Sequence, residues 1–178
     1  MTTTPKRIPA SINLFRQRGA SLLEGIAYLG IAAIVILGAV SLLTGAFSSA
    51  SANQTAEEII SLRTATKKLY SGQAYTDGAN LLQTLIPARA LPGTLVVGAN
   101  DTATNKWGGT VTVEGNGNSF TIEYTSMPQD VCVAVVSGAN GWVSINTVAL
   151  NGGVATAANA RTVCANAGNA NTVTFVAT

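Results

Sequence analysis

From Gly25 to Phe47 the chain carries no charged residue and consists almost wholly of apolar and small side chains. About 20 such residues cross the hydrocarbon core of a bilayer as one helix. The stretch from Ala20 to about Phe47 is therefore predicted to be a helix of membrane-spanning length, and any fold must accommodate it. One carboxylate, Glu24, interrupts the otherwise uncharged span from Gly19 to Gln54. A charge at the centre of a bilayer costs about 2.5–3.5 kcal/mol on insertion scales, so an acid there marks a functional candidate whose partner must be named.

The helix is predicted to run on to Tyr70. Ile59, Leu62, Thr66 and Leu69 recur at three- and four-residue steps, with Ala56 extending the stripe. Glu57, Glu58, Arg63, Lys67 and Lys68 take the other faces, an amphipathic pattern, and Ser71-Gly72 supplies a stop. Gly25, Gly30, Gly38 and Gly45 within the apolar half allow helices to approach closely in lipid. Three regions follow: residues 1–19, polar, basic and broken by Pro5 and Pro9; a long helix over 20–72, with 20–47 its membrane-spanning part; and a head over 73–178.

The head opens with loop signals at Asp77-Gly78, Pro87, Pro92-Gly93 and Asn100-Asp101. Thr110 to Glu114 and Ser119 to Tyr124 then alternate apolar and polar residues about Gly115-Asn116-Gly117-Asn118, which predicts a β-hairpin. Pro128 and Asp130 sit as in a first helical turn. The following Val131–Val136 run suits a short helix or a strand, with the helix favoured. Trp142 to Leu150 and Thr172 to Val176 read as further strands. The predicted fold class is α+β, a long helix packed on an antiparallel sheet.

Charge and cysteine usage give a direction across the membrane. Lys6, Arg7, Arg16 and Arg18 all precede Gly19, and basic residues before an apolar segment keep that end in the cytoplasm. Of ten Lys and Arg, six remain after Gly19 against eight Asp and Glu, a balance of −2. No nucleic-acid site is implied. Cys132 and Cys164 both fall in the exported part, where a pair reads as one disulfide; two unpaired buried thiols are the alternative. Histidine is absent from the chain, which removes Ser-His and Cys-His dyads and His-ligated metal sites. Asp101 with Glu114 or Glu123 shows no spacing that favours catalysis over solvated positions. The glycine-rich turn at 115–118 lacks the Lys-Ser/Thr of a phosphate loop. No catalytic residue, metal or cofactor is expected, and the chain reads as a non-enzyme.

Gly19-Ala20-Ser21-Leu22-Leu23-Glu24 followed by an apolar helix resembles the processing site of a type IV prepilin. The resemblance implies cleavage between Gly19 and Ala20 by a prepilin peptidase, N-methylation of Ala20, and a role in assembly for Glu24, the fifth mature residue. Residues 1–19 would be the leader. Lys106-Trp107-Gly108-Gly109-Thr110-Val111 is similar to the aromatic-Gly-Gly entry into the pilin sheet, where a turn beside a buried aromatic is expected. The pair Cys132 and Cys164 resembles the disulfide that bounds the pilin's C-terminal region. The longer leader and a first mature residue of Ala in place of Phe point to the type IVb branch, which includes pilins of thin conjugative pili and of enteric adhesive pili.

The implied partners are other copies of the chain in a homopolymeric filament, the prepilin peptidase and the inner-membrane assembly platform. The implied location is the inner membrane as a single-pass precursor, then a pilus on a Gram-negative surface. Three other readings stand beside this one. They are a minor pilin or pseudopilin of a related assembly or type II secretion system; a membrane-anchored periplasmic binding domain; and a secreted protein cut after Ala50-Ser51-Ala52, against which the long apolar run and Glu24 both weigh. The physics gives Glu24 a role independently of the resemblance. A cut after Gly19 would create an α-amino cation one turn away, and pairing a buried acid with such a cation removes much of its burial cost.

Overall fold

The computed structural model describes residues 22–178. It divides into two units at Leu42/Leu43. In the first, residues 22–42 are continuous helix, rising about 30 Å at 1.5 Å per residue. Its large side chains face outward along the whole length, from Leu22 at 85% exposure to Leu42 at 79%. The helix as a whole, α1, runs Leu22–Leu69 and is long and apolar enough to cross a membrane.

The second unit, from Leu43 onward, holds the remainder of α1 and the head. Here α1 buries Ala52, Thr55, Glu58, Ile59, Leu62 and Thr66, a stripe at three- and four-residue spacing. Thr55 and Thr66 are accommodated because each hydroxyl donates to the carbonyl one turn back, Ser51 and Leu62, at 2.8 Å. The helix ends where Gly72 takes a left-handed φ of +76°.

A seven-stranded sheet carries the rest. Its strands are β1 (Val96–Val97), β2 (Ala103–Thr104), β3 (Thr110–Asn116), β4 (Ser119–Met127), β5 (Ser144–Ile145), β6 (Val148–Ala149) and β7 (Asn171–Ala177). The spatial order is β1-β2-β3-β4-β7-β5-β6, with every pair antiparallel. The last strand therefore enters the interior of the sheet. Among the described residues there are also four α-helices, α1, α2 (Leu82–Leu85), α3 (Gln129–Ser137) and α4 (Ala157–Val163), and a short 3-10 turn at Asn151–Gly153.

The period-two pattern places one face of the central strands in the core. Phe120, Ile122 and Tyr124 of β4 lie opposite Ala177, Phe175 and Val173 of β7, and all six are buried. A β-bulge after Tyr124, with Ser126 at φ +57°, returns Met127 to the core.

The expected hairpin forms, with Asn116 opposite Ser119 across a two-residue turn. The Val131–Val136 run is helical, within α3. Trp142 to Leu150 is not one strand. It breaks into β5 and β6 at Asn146, whose φ is +50° and whose side chain accepts from the Thr174 amide at 2.7 Å. That bond fixes the turn beside β7. Trp142 precedes β5 and is core, packed on Phe175 with ring centroids 5.0 Å apart.

Candidate assembly surface

Glu24 lies in the first turn of α1 and is exposed. The Tyr28 hydroxyl, one turn on, donates to its Oε1 at 3.5 Å, so the acid and a phenol share one face at the start of the apolar helix. Gly19 and Ala20 lie outside the described residues. Beyond Glu24 the surface of this unit is aliphatic: Ile26, Leu29, Ile31, Ile34, Val35 and Leu37 are each at least 60% exposed. Contiguous apolar patches of more than a few hundred Å² on a soluble monomer mark surfaces made for another protein or a membrane.

In the second unit three polar anchors hold α1 to the head. The Ser48 hydroxyl donates to the Asp130 carboxylate at the start of α3. That bond holds the Asp130 carboxyl below the usual carboxylate range, against an opposing push from burial, and backbone amides add to the lowering. Lys106 Nζ donates to Gln54 Oε1 at 3.2 Å and to the Ser51 carbonyl at 3.4 Å. Arg63 Nη1 donates to the carbonyls of Asn140 and Gly141, both at 3.0 Å, while its guanidinium carbon sits 4.8 Å from the centroid of Trp142.

The Trp107-Gly108-Gly109 turn has a physical basis that sequence inspection did not supply. Asn105, buried, accepts from the amides of Trp107 and Gly109, each at 3.0 Å, and donates to the Thr125 carbonyl at 2.8 Å. Gly108 takes φ +79°, and a Cβ on Gly109 would overlap the Thr125 carbonyl. An Asn three residues before a glycine pair, its side chain accepting from the amide two residues on, is the Asx-turn signal that could have found it. Trp107 itself is half-buried, not buried as expected. The exposed Lys106 ammonium lies 4.9 Å from its ring centroid.

Glu58 also departs from expectation. Expected on one of the other faces of the helix, it is 6% exposed; its charge acts on the buried Tyr124 phenol, and it borders a groove with Gln54, Glu57, Ser61 and residues 92–94. Leu69, expected in the buried stripe, is 36% exposed. Cys132 of α3 and Cys164, which caps α4, are bonded with their Cα atoms 5.8 Å apart and close a loop 32 residues long. The Glu123 carboxylate accepts from the Thr174 hydroxyl at 2.9 Å, while Glu114 is exposed on β3. Among the described residues no three His, Cys, Asp or Glu gather as a metal site.

A family model described as PilS N terminal matches residues 49–178, most of the chain and the whole head. Among solved structures, the chain is similar to the type IVb pilin PilS from Salmonella typhi, determined by NMR. The identity is 31%, covering 70% of this chain and 94% of that one, with a TM-score of 0.44. The chain belongs to the type IVb pilin family. No curated protein matches it. As a pilin it is a structural subunit, and it has a long apolar helix, an antiparallel head sheet and one disulfide. The family match begins at Ser49, beyond the apolar run, so the features of residues 16–24 stand as independent sequence evidence.

Proposed function

We propose that this type IVb pilin is the repeating subunit of a surface filament, cut after Gly19, methylated at Ala20 and polymerised through its N-terminal helix. The observation that carries this reading is the bare helix: an apolar surface with Glu24 at its start, on a chain whose head matches a pilin family. The precursor would sit in the inner membrane with residues 1–19 in the cytoplasm, where a prepilin peptidase cuts. The assembly platform would then draw the mature chain into a pilus on a Gram-negative surface, serving adhesion, conjugative contact or a related task. In the filament Glu24 meets the α-amino group of a neighbour's Ala20, and pairing two charges in an apolar bundle selects one axial register while aliphatic contacts supply the area.

The test is mass spectrometry of sheared surface fibres together with a Glu24→Val variant. The reading expects one dominant protein beginning at methyl-Ala20, and a variant that is processed normally but gives no fibres. A trace component in fibres made of another protein would favour a minor pilin. Fibres of normal abundance from Glu24→Val would overturn the role given to the acid.

A further inference from the structure

A cleft opens in the head between α1 on one side and α3, the segment after it and β7 on the other. Ala56, Ile59 and Ile60 form one wall, and Val135, Trp142 and Phe175 form the other. Its volume is about 110 Å³, and no charged side chain lines it. An apolar cavity of about 150 Å³ takes up a benzene, so this one suits a single aliphatic side chain. Its rim faces solvent, with Ile60 55% exposed on α1 and Asn140 exposed opposite it; Val154, also 55% exposed, forms a β-bridge with Asn140.

We propose that the cleft receives an apolar side chain from the N-terminal helix of a second copy of this chain. The proposal rests on the filament reading above and assigns it a seat on the head. The chain itself supplies an occupant of the right chemistry, since residues 22–42 present Leu, Ile and Val at high exposure. A bilayer is a poor occupant, because the same stretch of α1 carries Glu57, Arg63, Lys67 and Lys68. Donor and acceptor are different patches of one molecule. Such a heterologous contact does not close on itself and propagates into an open helical array, whereas a cleft-to-cleft contact would stop at a dimer. One anchor side chain seated in a dry pocket is also how a few residues come to dominate an interface.

The experiment uses the full-length chain, expressed and assembled in cells, with Ile60→Cys combined in turn with a cysteine at each position from 29 to 42. Sheared fibres are oxidised and run without reductant. The expected result is a ladder of dimers and higher multimers, at least tenfold above either single variant, from donor positions spaced three or four apart. Val154→Cys, bridged to Asn140 of the facing wall, replaces Ile60→Cys if the latter does not assemble, and should give the same ladder. Assembled fibres with no ladder from either acceptor position would overturn the proposal while leaving the filament reading intact. Dimers from Ile60→Cys alone would overturn it in favour of a symmetric contact. Absence of fibres from the parent chain would overturn the filament reading, and this proposal with it, before any cysteine is introduced.

Discussion

At the scale of single residues, two side chains show how burial and hydrogen bonding trade off. Among the described residues, the Tyr124 hydroxyl is the buried side-chain polar atom without a hydrogen-bond partner. Burial, followed by the charge of Glu58, pushes its ionisation far above the ordinary phenol range. A buried polar group left unpaired costs about 1–3 kcal/mol. Tyr124→Phe is therefore expected to raise head stability by about 1 kcal/mol in urea unfolding, with the slope unchanged. Asp130 shows the reverse, a carboxylate favoured by the Ser48 hydroxyl. Its folded pKa lies below its unfolded value of about 3.9, so the stabilisation is fully present above that pH and fades as pH falls through the folded value. Ser48→Ala should bring the Asp130 carboxyl back up in an NMR titration and flatten the acid limb of the stability curve; an unmoved titration would deny the bond its role.

At the scale of elements, the disulfide-bounded loop is the part held together from outside. Between Cys132 and Cys164 lie most of α3, the β5–β6 hairpin and α4, with 2-residue strands contributing little pairing of their own. Closing such a loop contributes about 3–4 kcal/mol in the chain-entropy account. Replacing both cysteines by Ser is expected to lower head stability by about that amount and to expose the amides of α4 first in hydrogen exchange. Uniform loss of protection across the sheet would contradict this. The elements legible in the sequence were those whose order is local. The β3–β4 hairpin carries its own alternation and turn glycine, and α3 carries its own Pro and Asp start. Glu58 was misplaced because residues distant in sequence decide its burial. The break between β5 and β6 was missed because the bonds that hold Asn146 come from β7. The short α4 was missed although its capping box, Thr156 with Asn159, stands in the sequence.

At the scale of the whole molecule, the second unit contains its own core, its own sheet and its own covalent tie. A chain lacking residues 1–42 is thus expected to fold and to sediment as a monomer without detergent, with a cooperative thermal transition. Aggregation of that shortened chain at micromolar concentration would show that the apolar helix is needed for more than association. The candidate surface divided in the same way as the fold. Glu24 and the apolar run were plain in the sequence because charge placement and hydrophobic length are linear properties. The acceptor cleft was not, since its walls come from α1, α3 and β7 and meet only in the folded head.

The place of β7 makes closure of the head a non-local event. The β5–β6 hairpin is joined to the rest of the sheet through β7, and β4 has its second neighbour in β7 as well. The residues that complete both pairings follow every other strand in the chain, so neither pairing can form until β7 is in place. A chain clipped before Asn171 therefore has a head with an open seam, in which β4 lacks its second neighbour and the β5–β6 hairpin its link to the sheet. The sheet is closed by its last strand.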